Sequence, residues 1–514
     1  MGQTATKESP DEFLPPVQTR EELYERFEWC LWKDCLGDAK HEWFQTIFQI
    51  FCTESESENF WTVSDLQEFM VSTFPPELAA CVREAAPILH RCLLRLGSFP
   101  YHNDPRRIMS RNVLRTGIII LLRLNGGKLL EQDDGKVSLI YPDRLNAAQR
   151  VLLFQSMADM QATTSDIPRN VGDDFHLQKA LDLITYGNFR RNPWFPTAVT
   201  KGPEYPPPEH FPSSKSTLTN GSIPLKDFRS LLRLMLLTQL HVAGIEPDEF
   251  TSCLAQVETV TDCLLAAFQE RNATDPTGVS FATFDQVLGR SLQNLFLGLP
   301  RVFGPLHSVK PLPSEKLPSS VGDAQMLLRE LFAPSAKTQP PPEGLISNLP
   351  LLSQLSMALP QDFPIEAQKR LYSSRDIDIQ QVDTCVSLIS TANIMLVSGK
   401  SASESVIFGA YFPKGSSLSG VAKSNLIFQL APVPRVFYNS EEMSQIKQDF
   451  STTDNRLEFS VKDDVLGVIT LALQSDSTGL FTAHEKGDIS LTFDVDAVEV
   501  FSYEGEFVRV DTFA

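Results

Sequence analysis

Cysteine is scarce in this chain of 514 residues: eight in all, at 30, 35, 52, 81, 92, 253, 263 and 385. None forms a C-x-x-C pair, and Cys30, Cys35 and His41 lack the ligand spacing of a zinc site. This usage excludes a disulfide framework and fits reduced thiols. Long apolar runs are also missing. "GIIILLRL" is broken by Arg123 and "LLRLMLLTQL" by Arg233, well short of the ~18–20 residues that span a bilayer. Positive charge is in deficit, with a net charge of −19. An acidic surface repels phosphate backbones, so no direct nucleic-acid contact is expected. Nucleotide-binding glycine loops, H-E-x-x-H and G-x-S-x-G are absent too, so no catalytic residue, metal or cofactor is assigned. The Gly/Ser-rich "KGSSLSG" at 414–420 reads as a loop, and His484 as a turn residue. The sequons at Asn220 and Asn272 follow no signal peptide and are read as chance.

What is present divides by pattern. Residues 1–20 are polar and read as a disordered tail. Residues 21–192 place apolar side chains at three- and four-residue spacing, the mark of amphipathic helices, with Ser64 and Ser110 as candidate N-caps. A Pro-rich linker spans 193–215, a second helical region 216–299, and another Pro-rich linker 300–344 with a short helix at "DAQMLLRELF". From Ile394 onward, short apolar runs alternate with Gly, Ser, Asn and Asp, which predicts strand after strand and a β-sandwich. The fold class is therefore α+β.

A weak repeat runs through the helical regions: "DGKVSLI" at 134–140, "NGSIPLKDF" at 220–228 and "TGVSFATF" at 277–284. Each resembles the second half of an EF-hand loop, where an aliphatic residue pairs two loops. Calcium would need oxygen ligands at loop positions 1, 3, 5 and 12. Counted from Gly221 these are Ser216, Leu218, Asn220 and Asp227. Counted from Gly135 they are Leu130, Gln132, Asp134 and Tyr141. With Val279 as the pairing residue they are Asn272, Thr274, Pro276 and Thr283. The carboxylates are missing, so the repeats read as degenerate helix–loop–helix pairs that serve packing.

The start, "MGQTATKES", fits the N-myristoylation pattern, with Gly2 as acceptor and Thr6 four places on. One acyl chain binds a membrane only marginally, so a second contact is needed. The basic cluster Arg106, Arg107, Arg111 and Arg115 is a candidate for it, with the last three on one predicted helix face; a solvated helix surface is the alternative.

Three stretches resemble the TLDc family: "IFGAYF" at 407–412, "SNLIFQLAPVPRVF" at 424–437 and "DISLTFDVDAVEVFSYEG" at 488–505. The matching residues are Phe408, Gly409, Phe428, Leu430, Pro432, Phe437, Glu499 and Phe501, most of them structural. The segment from "LPLLSQLSMALP" to "ISTANIMLVSGK" is similar to the start of that domain in fungal restriction-of-telomere-capping members, which extends the resemblance over 345–514. "YSSRDIDI" lacks the family's glycine, and Phe501 stands where many members have Trp. The resemblance implies an antiparallel β-sandwich flanked by helices. It also implies a non-enzymatic adaptor that binds and modulates the vacuolar proton-pumping ATPase, with links to oxidation resistance and, genetically, to telomere capping. Its implied place is cytoplasmic, peripheral to the vacuolar membrane through the lipid at Gly2. The competing readings are an enzyme with an unrecognised redox or hydrolytic site, and a calcium-responsive regulator.

Overall fold

The computed structural model describes residues 19–503. It leaves out 54–58, 102–105, 125–144, most of 161–220, 270–276, 308–316, 333–340, 387–391, 414–424, 439–449, 484–488 and some single positions. Gly2, the repeat copy at 134–140, the first Pro-rich stretch, "KGSSLSG" and His484 lie outside the described residues. The class is α+β, with helices first and one large antiparallel sheet in the C-terminal half.

The helical part begins with α1 (Arg20–Cys35) and α2 (Gly37–Phe51). Strand β1 (Phe60–Trp61) leads straight into α3 (Val63–Thr73). Helix α4 (Ala79–Leu96) follows, and β2 (Met109–Ser110) leads into α5 (Arg111–Leu124). β1 and β2 pair antiparallel, Trp61 opposite Met109. After α6 (Ala147–Met157) and β3 (Asp159–Met160), the arrangement recurs. Strand β4 (Gly221–Pro224) runs into α7 (Leu225–Val242), and after α8 (Pro247–Ala267), β5 (Gly278–Val279) runs into α9 (Phe281–Arg290).

Ile223 pairs with Val279, so the 220–228 and 277–284 copies of the repeat meet through their aliphatic positions. The β1–β2 pair escaped notice in the sequence because neither strand carries the Gly-x-aliphatic signature. The cap of α3 also differs from expectation. Thr62, not Ser64, is its N-cap, and Asp65 closes a reciprocal capping box (Asp65 N to Thr62 Oγ1, 3.2 Å; Thr62 N to Asp65 Oδ2, 2.6 Å). Pairing of Trp61 with β2 keeps the chain extended through Thr62, so Ser64 is already helical.

Helix α4 packs against α3, α5, α6 and α7, so helices on both sides of the first Pro-rich stretch share one core. The second Pro-rich interval starts packed. Val302, Phe303 and Leu306 are fully buried, and Trp43 Nε1 donates to Pro305 O at 2.8 Å. They belong to α10 (Leu299–Phe303) and the turn after it, and the short predicted helix appears as α11 (Val321–Phe332).

Helix α12 (Leu349–Ala358) joins the two parts. Its sequence LPLLSQLSMA carries no charge and is mostly apolar, which suits a helix buried on nearly every side, with its buried polar groups hydrogen-bonded. Ser353 Oγ donates to Leu236 O of α7 (2.8 Å), and Gln354 Nε2 to Leu430 O of the sheet (3.0 Å).

The sheet contains β6 (Gln368–Ser374), β7 (Ala392–Ser401), β8 (Glu404–Phe412), β9 (Leu426–Ala431) and β10 (Arg435–Tyr438). It continues with β11 (Phe450–Thr453), β12 (Arg456–Asp463), β13 (Gly467–Gln474), β14 (Thr478–Ala483) and β15 (Ile489–Tyr503). The order is β10-β9-β8-β7-β15-β14-β13-β12-β11, with β6 also on β15. Neighbouring strands lie ~4.8 Å apart, so in a flat sheet β8 and β14 would be some ~14 Å apart. Yet the rings of Phe408 (β8) and Phe481 (β14) stack at 4.8 Å, and Phe412 (β8) meets Phe459 (β12) at 5.3 Å. The two layers of the expected sandwich are thus arms of one continuous sheet curled over its own core. Helix α13 (Ile379–Val386) contributes Ile379, Val382 and Val386 to that core.

Strands β7 and β9 are covered on both faces. Met395, Val397 and Ile427 enter the sheet's inner core, whereas Ile394, Leu396, Leu426, Phe428 and Leu430 join the core shared with the helices. Alternation of side chains across a strand produces this division, and double coverage explains runs such as "NIMLV" and "LIF" without a polar face.

Candidate functional site

The eight family-motif residues gather in the sheet and around its junction with the helices. Phe408, Phe428, Leu430 and Glu499 are fully buried, Phe437 and Phe501 nearly so, and Pro432 is half-buried. Phe437 lies 5.5 Å from Phe481 across the curled core. Gly409 is dictated by close approach: a Cβ there would sit 2.4 Å from the Phe428 ring and 2.6 Å from Met395 O.

Glu499 is the polar centre of this group. Its Oε1 accepts from Leu345 N (2.6 Å) and Ser373 Oγ (3.0 Å), and its Oε2 from Ser347 N (2.9 Å). Arg370 Nε lies 3.8 Å away, and the same guanidinium donates to Pro342 O and sits over the Phe501 ring. A Cβ on Gly344 would fall 2.0 Å from the carboxylate. The carboxylate therefore fastens residues 342–347, just ahead of α12, onto β15. From sequence only the motif position was legible, because its partners lie more than 120 residues away.

A second constellation lies on the helical part, where α1 faces the segment entering α5. It forms an open cleft of about 540 Å³ lined by Arg20, Tyr24, Glu25, Glu28, Arg106, Arg107, Ile108 and Ser110, among others. Arg106 stacks over Tyr24 at 3.9 Å from the ring centroid, and Arg20 over Tyr101 at 4.5 Å. The basic cluster is split. Arg107 precedes α5, so it shares no helix face with Arg111 and Arg115. Arg115 is buried, donating to Glu28 Oε1 through Nε (2.9 Å) and contacting His41 Nδ1 through Nη1 (2.9 Å). Burial pushes the Glu28 carboxyl above its ordinary value, and Arg115 opposes that rise.

The EF-like loops use their position-12 residues for packing. Asp227 accepts from Arg91 at 2.9 Å, and Thr283 is the residue that the N-cap Ser280 engages. Counting the missed loop with Trp61 at position 8 puts Glu54, Glu56 and Glu58 at positions 1, 3 and 5 and Asp65 at 12. The three glutamates lie outside the described residues, and Asp65 Oδ2 accepts from Thr53 Oγ1 (2.9 Å) and Thr62 N. Among the described residues no three His, Cys, Asp or Glu side chains gather as metal ligands, and no helix is long and apolar enough to cross a membrane. Burial raises the thiols of Cys81 to about 12, Cys92 to about 11 and Cys253 to about 11.

No family model matches the chain. Similarity is found to fungal proteins named Restriction of telomere capping protein 5. The Aspergillus clavatus protein is 24% identical over 310 residues, covering 56% of this chain and 45% of that protein. The Colletotrichum graminicola protein is 23% identical over 404 residues, covering 73% and 59%. The Leptosphaeria maculans protein is 21% identical over 504 residues, covering 86% and 76%. These proteins are distant homologues of the chain. It spans about half the length of the first two.

Proposed function

We propose that the chain is a non-enzymatic TLDc-type adaptor that binds the vacuolar proton-pumping ATPase and modulates it at the vacuolar membrane. The observation that carries this reading is the sheet itself. The TLDc-like motif residues build both of its faces: Phe408 and Phe437 enter the curled inner core, Phe428, Leu430 and Phe501 join the core shared with the helices, and Glu499 fastens the sheet to the segment ahead of α12. Similarity to the telomere-capping proteins extends through both parts of the molecule. Their name carries over as a genetic relation to telomere capping, because a net charge of −19 opposes DNA contact. Thiols raised by burial hold little thiolate near neutral pH, which disfavours Cys81, Cys92 and Cys253 as redox nucleophiles.

Capture of proton-pump subunits from detergent-solubilised vacuolar membranes by the full chain tests the reading. Retention of pump subunits is expected, together with loss of vacuolar localisation in Gly2→Ala. A full chain that retains no pump subunit refutes the adaptor function.

A further inference from the structure

The cleft between α1 and the segment entering α5 has basic and exposed apolar side chains in and around it. Arg107 and Arg111 make no ion pair among the described residues, although the molecule is strongly acidic. Beside Arg107 the side chain of Ile108 is 42% exposed. Trp29, one turn beyond the cleft-lining Glu25 on α1, is 39% exposed. Ser110 also lines the cleft; it is only 7% exposed, and its hydroxyl has no hydrogen-bond partner among the described residues.

Exposed aromatic and aliphatic side chains near arginines that form no ion pair among the described residues suit the boundary between water and an anionic bilayer. There the apolar groups enter the headgroup layer and guanidinium groups meet phosphate. The charges lining the cleft are Arg20, Arg106 and Arg107 against Glu21, Glu25 and Glu28, and Glu28 is already taken up by the buried Arg115 behind it, with Arg111 also acting on it. The balance is locally positive. Arg20, the first residue of α1, lines the cleft as well, so the segment bearing Gly2 joins the described structure at this surface.

We propose that this surface, with Arg106, Arg107, Ile108, Arg111 and Trp29 as its contacts, docks on anionic phospholipid and provides the second membrane contact that a single acyl chain requires. The proposal rests on the membrane-peripheral part of the reading above and is independent of the pump. It explains why this short segment keeps arginines unpaired while Arg115, one helical turn into α5, is consumed by Glu28.

The test uses the full chain without its acyl group and phosphatidylcholine vesicles with or without phosphatidylserine. Cosedimentation is expected only with phosphatidylserine present, weakened about tenfold by the surface variant Arg107→Glu/Ile108→Glu and by high salt. Circular dichroism and thermal melting should leave the variant indistinguishable from the parent in fold. Equal binding by parent and variant overturns the proposal, as does absence of binding to anionic vesicles. Calorimetric binding of inorganic phosphate without vesicle binding would assign the cleft to a soluble phosphate instead. Pump capture is done in detergent, so its failure leaves the vesicle result unaffected, and the reverse holds too.

Discussion

The two halves of the molecule solve the burial of a carboxylate in opposite ways. In the helical half, Glu28 is matched by a charge, Arg115. In the sheet half, Glu499 is held chiefly by the N–H groups of Leu345 and Ser347 and the hydroxyl of Ser373. The difference follows from backbone accounting. Inside a helix each N–H is already used four residues back, so a buried carboxylate must find a side-chain donor. Residues 344–347 belong to no ladder, so the amides of Leu345 and Ser347 can serve a carboxylate on β15 while Gly344 N donates to Ser347 O. A charge pair can join any two helices, whereas a backbone cradle fixes one segment in one register.

The comparison can be broken at several points, in order of expected effect. Phe408→Ala removes the ring that bridges the two arms of the sheet and should cost about 4 kcal/mol in chemical denaturation. A cost near that of an exposed site would mean the arms are held by their strand ladder alone.

Arg115→Met strands Glu28 and should cost about 3 kcal/mol near neutral pH. The sign of its pH dependence is fixed by the carboxyl. Folded Glu28 lies above its ordinary value of 4.5, so it adds stability as pH falls through the folded value and withdraws it as pH rises. Without Arg115 the rise is larger, and the variant should recover stability relative to the parent between about pH 7 and about pH 5. Burial lowers His90 and His241, which therefore withdraw stability below about pH 6.5, but they do so equally in both proteins.

Glu499→Gln places an amide NH₂ among donors. It should cost about 2 kcal/mol and speed amide exchange at Leu345 and Ser347 relative to the sheet. Unchanged exchange there would show that the carboxylate does not hold the segment. Thr62→Ala removes one half of the capping box and should lower stability by about 1 kcal/mol, read as a small shift in the denaturation midpoint.

Legibility in the sequence followed the range of the interaction. Val279 could be named as a pairing residue from its place in its own loop, whereas its partner Ile223 is fixed only by the strand contact. The pair Trp61 and Met109 could not, because its loops lack the glycine signal and only the strand contact reveals them. Ser64 was misread as a cap because a hydroxyl next to a helix is a local cue, whereas the extended conformation at Thr62 is imposed by a strand from elsewhere in the chain. The arginine cluster was visible as spacing, but its division into paired Arg115 and unpaired Arg107 and Arg111 depends on where α1 lies.

The α+β class, the strand-rich C-terminal third, the degenerate EF-like loops at 220–228 and 277–284 and the positions of the motif residues are all readable along the chain. These are properties of periodicity and local spacing. Packing in three dimensions sets the rest: one sheet curls to form both layers, β7 and β9 are buried on both faces, and Glu499 reaches back to residues 345–347. Packing also takes Arg115 into the interior with Glu28 and leaves Arg107 at the surface. Each of these depends on side chains distant in sequence competing for the same space or the same partner.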